Sequence, residues 1–219
     1  MTLFIIAYLA VLCLYFFTET SGKLAWRAPN KIVLASMFLV YAFVQYQHYE
    51  QLSIHLLLMV ALFLAWMGDV FLLIDLNRGG DFFLCGNVCF IVYEMAMLMK
   101  QGHAFGTFAW TIPVMILILL TLIFFSGKYP KIFKFGKMRW PMMLYLTSIT
   151  LHGLTGIAMM ILLPGTPFFV MGLGSLLFWI SDIILSIDHF IYIGNKWVLR
   201  ANSATYFSGL LLIVLSMAL

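Results

Sequence analysis

Long apolar runs separated by short polar breaks account for most of the chain. The runs cover residues 1–17, 32–46, 54–74, 82–99, 107–125, 141–163, 167–187 and 202–219. A transmembrane helix needs about 20 predominantly apolar residues, and these runs are close to that length. Turn-forming residues stand between them at 28–30, 77–80, 164–167 and 194–195. The pattern predicts an all-α polytopic membrane protein, a single bundle of eight transmembrane helices forming one domain over residues 1–219.

The basic residues test this helix count because they fall almost entirely on one side of the predicted bundle. Of the 12 Lys and Arg residues, all but Lys100 lie in loops or helix ends of one face, and the longest basic loop is 128–139. Positively charged loops stay in the cytoplasm, so we expect both termini to face the outside. The first run lacks a basic segment before it and an A-x-A-like site after it. We therefore expect a retained helix there and not a signal peptide.

Two aspartates lie inside the apolar runs in similar positions. Asp69 follows Gly68 near the end of the third run, and Asp182 follows Ser181 near the end of the seventh. A carboxyl group within a membrane span costs roughly 2.5–3.5 kcal/mol on insertion scales. Burial favours the neutral form of a carboxyl group, and a second carboxyl nearby reinforces this for one of the two. The pair is predicted to be the centre of an intramembrane active site, and the alternative is a hydrogen-bonded clamp between helices.

Other polar residues are expected at the same depth in the membrane. At 1.5 Å of rise per residue, the helix layout puts this layer about 6–8 Å below the cytoplasmic interface. The layer contains Asp69, Tyr145, Asp182 and Tyr206, with Thr205 beside Tyr206 and with Glu19 and Lys31 at its edge. These side chains are predicted to surround one cavity, in which the two Asp carboxyl groups are close enough to share a water.

A second polar group is predicted deeper in the bundle. Asn87 and Glu94 are seven residues apart and share one face of the fourth helix. Tyr145 and His152 have the same spacing on the sixth helix. Glu94 and His152 fall about one and a half turns deeper than the aspartates, where they can pair. For His152 a structural contact and a functional role both stay open.

Composition excludes a soluble function. The chain is 64% hydrophobic and 9% charged, against about 25% charged residues in a soluble domain. The net charge of +4 follows from the loop topology, so no nucleic-acid partner is expected. Cys13, Cys85 and Cys89 stand in apolar surroundings, which argues against a disulfide framework. No set of His and carboxylate residues shares one level, so we expect neither a metal nor another cofactor.

Five short signatures follow one another along the chain. They are Gly68-Asp69 closing the third helix, Gly86 and Phe90 on the fourth, Pro141 and Tyr145 on the sixth, Phe178 and Ser181-Asp182 on the seventh, and Thr205-Tyr206 on the eighth. Their order resembles the YhhN-like lysoplasmalogenase family of eight-helix membrane proteins, and the resemblance covers nearly the whole chain. One departure is Glu94, which stands where the family usually has His.

The resemblance implies hydrolysis of the vinyl ether bond of a lysoplasmalogen, giving a fatty aldehyde and a glycerophospho-head group. The partners it implies are a lysophospholipid substrate and membrane lipids, and the expected location is a bacterial inner membrane. Vinyl-ether cleavage passes through an oxocarbenium ion, a problem that glycosidases solve with two carboxyl groups. Asp69 and Asp182 suit this chemistry independently of the resemblance, although the sequence does not say which is the acid.

The remaining candidates are given supporting roles. Tyr145, Ser181 and Tyr206 are expected to orient the carboxyl groups or a water, and Lys31 to meet a phosphate from the cytoplasmic side. Asn87, Glu94, His152 and Thr205 complete the predicted substrate-binding and orienting residues.

Three other classes of protein compete with this interpretation. A proton-coupled transporter also uses intramembrane carboxylates, but it favours broken helices and inverted repeats, which the sequence does not show. A non-catalytic lipid-binding protein would explain the polar stripes. An intramembrane aspartyl protease requires Gly-x-Gly-Asp, whereas this chain has Trp66-Met67-Gly68-Asp69. Oligomeric state and preferred head group are left open by the sequence.

Overall fold

The computed structural model describes residues 1–19, 24–48, 52–190 and 195–219. Within these ranges it contains eight helices that are long and apolar enough to cross a membrane, and no strand. The helices are α1 Thr2–Glu19, α2 Leu24–Tyr46, α3 Leu52–Phe71, α4 Leu76–Lys100, α5 Thr111–Lys128, α6 Arg139–Leu162, α7 Pro167–Phe190 and α8 Lys196–Ser216. The predicted all-α membrane bundle is confirmed, and the protein is an integral membrane protein.

Two of the predicted breaks are wrong, because residues 28–30 and 77–80 lie inside helices. Helix α2 begins at Leu24 and accommodates Pro29, which removes only a bond of the first turns. The Asn30 side chain donates to the Trp26 carbonyl at 3.0 Å and supports these turns. Helix α4 begins at Leu76 because the Asp75 side chain accepts a hydrogen bond from the Asn77 amide at 2.8 Å. This N-cap outweighs the helix-breaking tendency of the two glycines that follow.

Of the other two predicted breaks, residues 164–167 lie wholly within the described part of the chain, and residues 194–195 lie only partly within it. Residues 164–166 form a turn in which Gly165 adopts φ +75°, and Pro167 is the first residue of α7. Asn195 caps α8 by accepting from the Trp197 amide at 2.9 Å, whereas Gly194 lies outside the described residues. The fifth helix begins at Thr111, later than the predicted 107, because a short 3₁₀ turn at Phe105–Thr107 comes before it.

The helices pack around a central polar site. Six helices form a ring in which each one packs against the next, in the order α2, α3, α4, α6, α7 and α8, and α8 contacts α2 to close it. Helix α1 packs on α2 and α8, and α5 packs outside the ring on α6. Helices α7 and α8 approach each other closely at Gly174 and Gly209. A Cβ added to Gly174 would lie 2.7 Å from the Gly209 carbonyl oxygen, so neither position has room for a side chain. This contact fixes α7 against α8 and thereby sets Asp182 relative to Tyr206.

The orientation of the bundle in the membrane is a testable prediction. Reporter fusions after Leu219 and within the loop at Gly136 should give opposite signals in cells, with the C-terminal reporter outside and the loop reporter inside. The reason is that the basic residues other than Lys100 then lie on the cytoplasmic face. Matching signals from the two fusions would contradict the eight-helix topology.

Candidate active site

Asp69 lies in the interior of the bundle with two polar partners from other helices. The Lys31 Nζ on α2 is 3.0 Å from Asp69 Oδ1. The Tyr206 hydroxyl on α8 donates to Asp69 Oδ2 at 2.7 Å. Asp69 is only 2% exposed and Lys31 only 8%. Asp69 supplies the counter-charge that a buried ammonium requires, and the predicted contact of Lys31 with a phosphate stays a prediction.

Asp182 has a different environment, with a partner from α6. The Tyr145 hydroxyl on α6 donates to Asp182 Oδ2. Asn87 on α4 donates to Ser148 Oγ at 3.5 Å, and the Ser148 hydroxyl donates to the Tyr145 carbonyl at 2.8 Å. Asp69 and Asp182 lie within electrostatic reach of each other. The structure therefore brings together both aspartates and both tyrosines, with Asn87 behind one of them.

Aromatic packing explains why glycine precedes Asp69. A Cβ on Gly68 would lie 2.7 Å from the ring of Phe83, so only glycine allows this ring to sit against α3. The Phe83 ring packs edge-on against Tyr206 at 6.0 Å, and Phe178 lies 5.2 Å from the same tyrosine. These rings fix the Tyr206 hydroxyl in front of Asp69 and surround the carboxyl with apolar surface.

Helix α1 supplies Tyr8, which the sequence analysis missed, and buries Glu19. The Tyr8 hydroxyl donates at 3.0 Å to the carbonyl of Phe207, which follows Tyr206, the partner of Asp69. Glu19, predicted only at the edge of the layer, is buried and accepts a hydrogen bond from Ser203. The buried residues of α1 are Tyr8, Leu12, Tyr15 and Glu19. Their spacing of four, three and four is the helical signal that identifies this face.

Two predicted site residues are used within their own helices. The Ser181 hydroxyl donates to the Phe178 carbonyl at 2.6 Å. The Thr205 hydroxyl donates to the carbonyls of Ala201 and Asn202 at 2.8 and 3.0 Å. Their roles in orienting substrate stay predictions, because neither side chain hydrogen-bonds to an aspartate in the described part of the chain.

Glu94 and His152 form a separate cluster, as their predicted depth implied. His152 Nε2 lies 3.4 Å from Glu94 Oε1, so the two side chains are neighbours, but among the described residues neither ring nitrogen of His152 has a hydrogen-bond partner and the pairing stays a prediction. Glu94 also accepts hydrogen bonds from Thr155 and, at 2.6 Å, from Ser175. The Phe178 ring packs against both His152 and Tyr206. This ring therefore stands between the deeper Glu94 cluster and the aspartates.

A cavity of about 380 Å³ lies between α4, α6 and α7. Tyr145 and Ser186 line its inner end, and Phe83 forms part of its wall. Of the four residues predicted to surround one cavity, Tyr145 alone lines this one, since Asp69, Asp182 and Tyr206 are not among its lining residues. Asp182 is nonetheless one hydrogen bond away, through Tyr145.

The described part of the chain has no evident set of side chains that could bind a metal ion. Over residues 1–19, 24–48, 52–190 and 195–219, no group of three or more His, Cys, Asp or Glu side chains is placed to hold an ion. The charged groups at the centre are instead one ammonium and two carboxyls, each carboxyl with a tyrosine hydroxyl. Such an arrangement can hold and move protons.

Eight membrane-spanning helices around a buried pair of carboxyl groups define the class: an integral membrane protein with a polar site inside its bundle. The model of the YhhN family matches residues 26–217, which is most of the chain. The chain belongs to the YhhN family, and the predicted membership is confirmed. No curated protein and no solved structure matches it significantly. The match begins within α2, so Tyr8 and Glu19 on α1 lie outside it.

Proposed function

We propose that this protein hydrolyses the vinyl ether bond of lysoplasmalogens within the membrane. Membership of the YhhN family suggests a lysoplasmalogenase-type function. The observation that carries the proposal is the pair Asp69 and Asp182: two buried carboxyl groups within electrostatic reach, of which, among the described residues, only Asp69 has an ammonium partner. A general acid and a carboxylate side by side are what vinyl-ether cleavage needs.

The reaction divides into steps that two carboxyl groups can serve. A proton adds to the alkene carbon remote from the oxygen, and the positive charge is shared by the adjacent carbon and the ether oxygen. Water then adds to that carbon and gives up a proton, which forms a hemiacetal. The hemiacetal collapses to a fatty aldehyde and the free glycerol hydroxyl. One water is consumed for each bond cleaved, and glycosidases use paired carboxyls for a related cation.

The different environments of the two aspartates suggest their roles. An ammonium 3.0 Å from Asp69 stabilises its ionised form, so Asp69 is assigned as the carboxylate that stabilises the cation and takes the proton of water. Asp182 has a tyrosine hydroxyl as its partner, and it is assigned as the acid that protonates carbon. In the collapse step Asp69 returns its proton to the leaving oxygen and Asp182 recovers one from the hemiacetal hydroxyl.

The two tyrosines are positioning residues in this scheme. Tyr145 holds Asp182 Oδ2, which leaves Oδ1 to carry the acidic proton. Tyr206 holds Asp69 Oδ2 while Lys31 holds Oδ1. The rings of Phe83 and Phe178 limit competing water around them. A positioned acid or base typically contributes about 10²–10⁴-fold to the rate.

The proposal is tested by comparing three lysolipids that differ only at the first glycerol position. Purified protein should release aldehyde from the 1-alkenyl lipid and leave the 1-alkyl and 1-acyl lipids intact, because only the alkenyl chain can form an oxocarbenium ion by carbon protonation. In heavy water, with immediate borohydride reduction, the product alcohol should carry one deuterium on the carbon next to the alcohol carbon. Equal release from the acyl lipid would indicate an esterase, and no turnover of any lipid would refute the proposal.

A further inference from the structure

The cavity between α4, α6 and α7 has the form of a binding site for a single-chain lipid. Most of its lining is apolar, with Leu84, Met142, Leu144 and Leu185 among the lining residues. Leu144 is 59% exposed on the outer surface of α6, so this wall reaches the membrane. The volume of about 380 Å³ is within the range of about 300–1,000 Å³ that small-molecule sites occupy.

Three polar residues of the cavity lining belong to helix ends and form its outer rim. Asn77 and Asp81 come from the start of α4, and His189 comes from the end of α7. All three are exposed. In the ranges that the structure describes, none of these side chains makes a hydrogen bond to another side chain or an ion pair, so all three can contact a ligand. The rim offers one negative charge and two groups that can donate hydrogen bonds.

We propose that this cavity binds a zwitterionic lysophospholipid, with its cationic amine at Asp81 and its phosphate at Asn77 and His189. The inference rests on the proposed function for the reaction of the bound lipid at Asp182, behind Tyr145, but binding itself does not require catalysis. The charge of Asp81 favours an amine-bearing head group such as phosphoethanolamine. It disfavours a bare phosphate, because like charges repel. The chain then enters from the leaflet beside Leu144.

The distance from the rim to the reacting groups fits such a ligand. His189 follows Asp182 by seven residues on α7, which corresponds to about 10 Å along the helix axis. That length is comparable with an extended glycerophosphoethanolamine unit. At the inner end of the cavity the Tyr145 hydroxyl donates to Asp182, and the Ser186 hydroxyl donates to the Asp182 carbonyl at 2.8 Å. A lipid held at the rim by its head group thus brings its first glycerol carbon towards Asp182.

The experiment measures binding of alkyl-ether lysolipids, which have the same shape as the substrate but no vinyl ether to hydrolyse. Purified full-length protein in nanodiscs is titrated with 1-alkyl-lysophosphoethanolamine and with 1-alkyl-lysophosphatidate. The wild type should bind the first lipid more tightly. Asp81→Asn should weaken that binding about three- to fivefold, the effect expected of an exposed charge pair, and should not weaken binding of the lysophosphatidate.

Asp75→Asn is the matched control for the loss of charge. Asp75 is also exposed in part and near the start of α4, but it does not line the cavity. Asn is as good an N-cap as Asp, so the helix start is preserved. This variant should bind both lipids as the wild type does. An equal loss of preference in both variants, or none in either, would overturn the assignment of Asp81.

Gly80 allows the cavity itself to be tested. It lines the cavity, and a Cβ added there meets nothing within 4 Å. Gly80→Phe should fill the space and weaken binding of both lipids at least about tenfold, whereas Gly80→Ala should leave binding unchanged. If both variants bind alike, the lipid lies elsewhere. A wild type that binds these lipids but does not cleave vinyl ethers would refute the proposed function and leave this site intact.

Discussion

Asp69→Asn and Asp182→Asn should each lower vinyl-ether hydrolysis at least about a hundredfold while the protein stays folded in the membrane. Asn keeps the size of Asp and can still accept hydrogen bonds, but it can neither donate an acidic proton nor carry negative charge. Loss of one member of an acid–base pair costs about 10²–10⁴-fold in rate. Initial rates of aldehyde release, normalised to folded protein, provide the measurement.

The same variants separate catalysis from a structural clamp. A clamp should tolerate an amide, since hydrogen bonds within membranes average only about 0.6 kcal/mol in measured cycles. In Asp69→Asn the amide oxygen can still accept from Tyr206, and the flexible stem of Lys31 can move its ammonium towards the interface. Near wild-type turnover by both folded variants would mean that the aspartates are structural.

Glu94→Gln is the internal comparison for these two variants. Glu94 is as deeply buried as the aspartates, but it belongs to the cluster with His152 on the far side of Phe178. It should therefore reduce the rate much less than either Asp variant, although it changes a buried carboxyl in the same way. A loss as large as that of Asp182→Asn would make Glu94 part of the proton path.

Lys31→Met should destabilise the protein by up to about 3–5 kcal/mol, because it leaves Asp69 as a buried carboxyl without its cation. Lys31 and Asp69 are both nearly inaccessible, so water cannot replace the ammonium. The variant should also lose most of its hydrolysis, since Asp69 is no longer held in its ionised form. Unfolding in mixed micelles, followed by far-UV circular dichroism, measures the first effect.

The double variant Lys31→Met/Asp69→Asn tests whether the broken ion pair causes the loss of stability in Lys31→Met. Removing both charges should restore most of the lost stability but none of the hydrolysis, because a buried pair replaced as a whole is often neutral. Lys131→Met, an exposed cation in the basic loop, is the control and should change neither property. A double variant as unstable as Lys31→Met would show that the lysine acts through its packing and not through its charge.

Much of the fold follows from the sequence because membrane insertion depends on local composition. Each apolar run must satisfy its own backbone hydrogen bonds in lipid, so it forms a helix wherever its neighbours lie. The cost of an intramembrane carboxyl is also local, and this made Asp69 and Asp182 visible from sequence. The errors at 28–30 and 77–80 have local causes too, since the N-cap of Asp75 and the position of Pro29 near a helix end outweigh their turn-forming composition.

Only the tertiary structure decided which polar groups meet. Tyr206 and Asp69 are 137 residues apart, and Ser203 and Glu19 are 184 apart, so no local pattern specifies these partners. The choice of Asp69 as the partner of Lys31 depends on how α2 rotates against α3. The Trp66 indole on α3 donates to the Ser36 hydroxyl on α2 at 3.1 Å and helps to fix that rotation. Close contacts such as those of Gly68 with Phe83 and of Gly174 with Gly209 do the same for α3 against α4 and α7 against α8. Helix faces that are equally polar in sequence become distinct when packing determines which of them face one another.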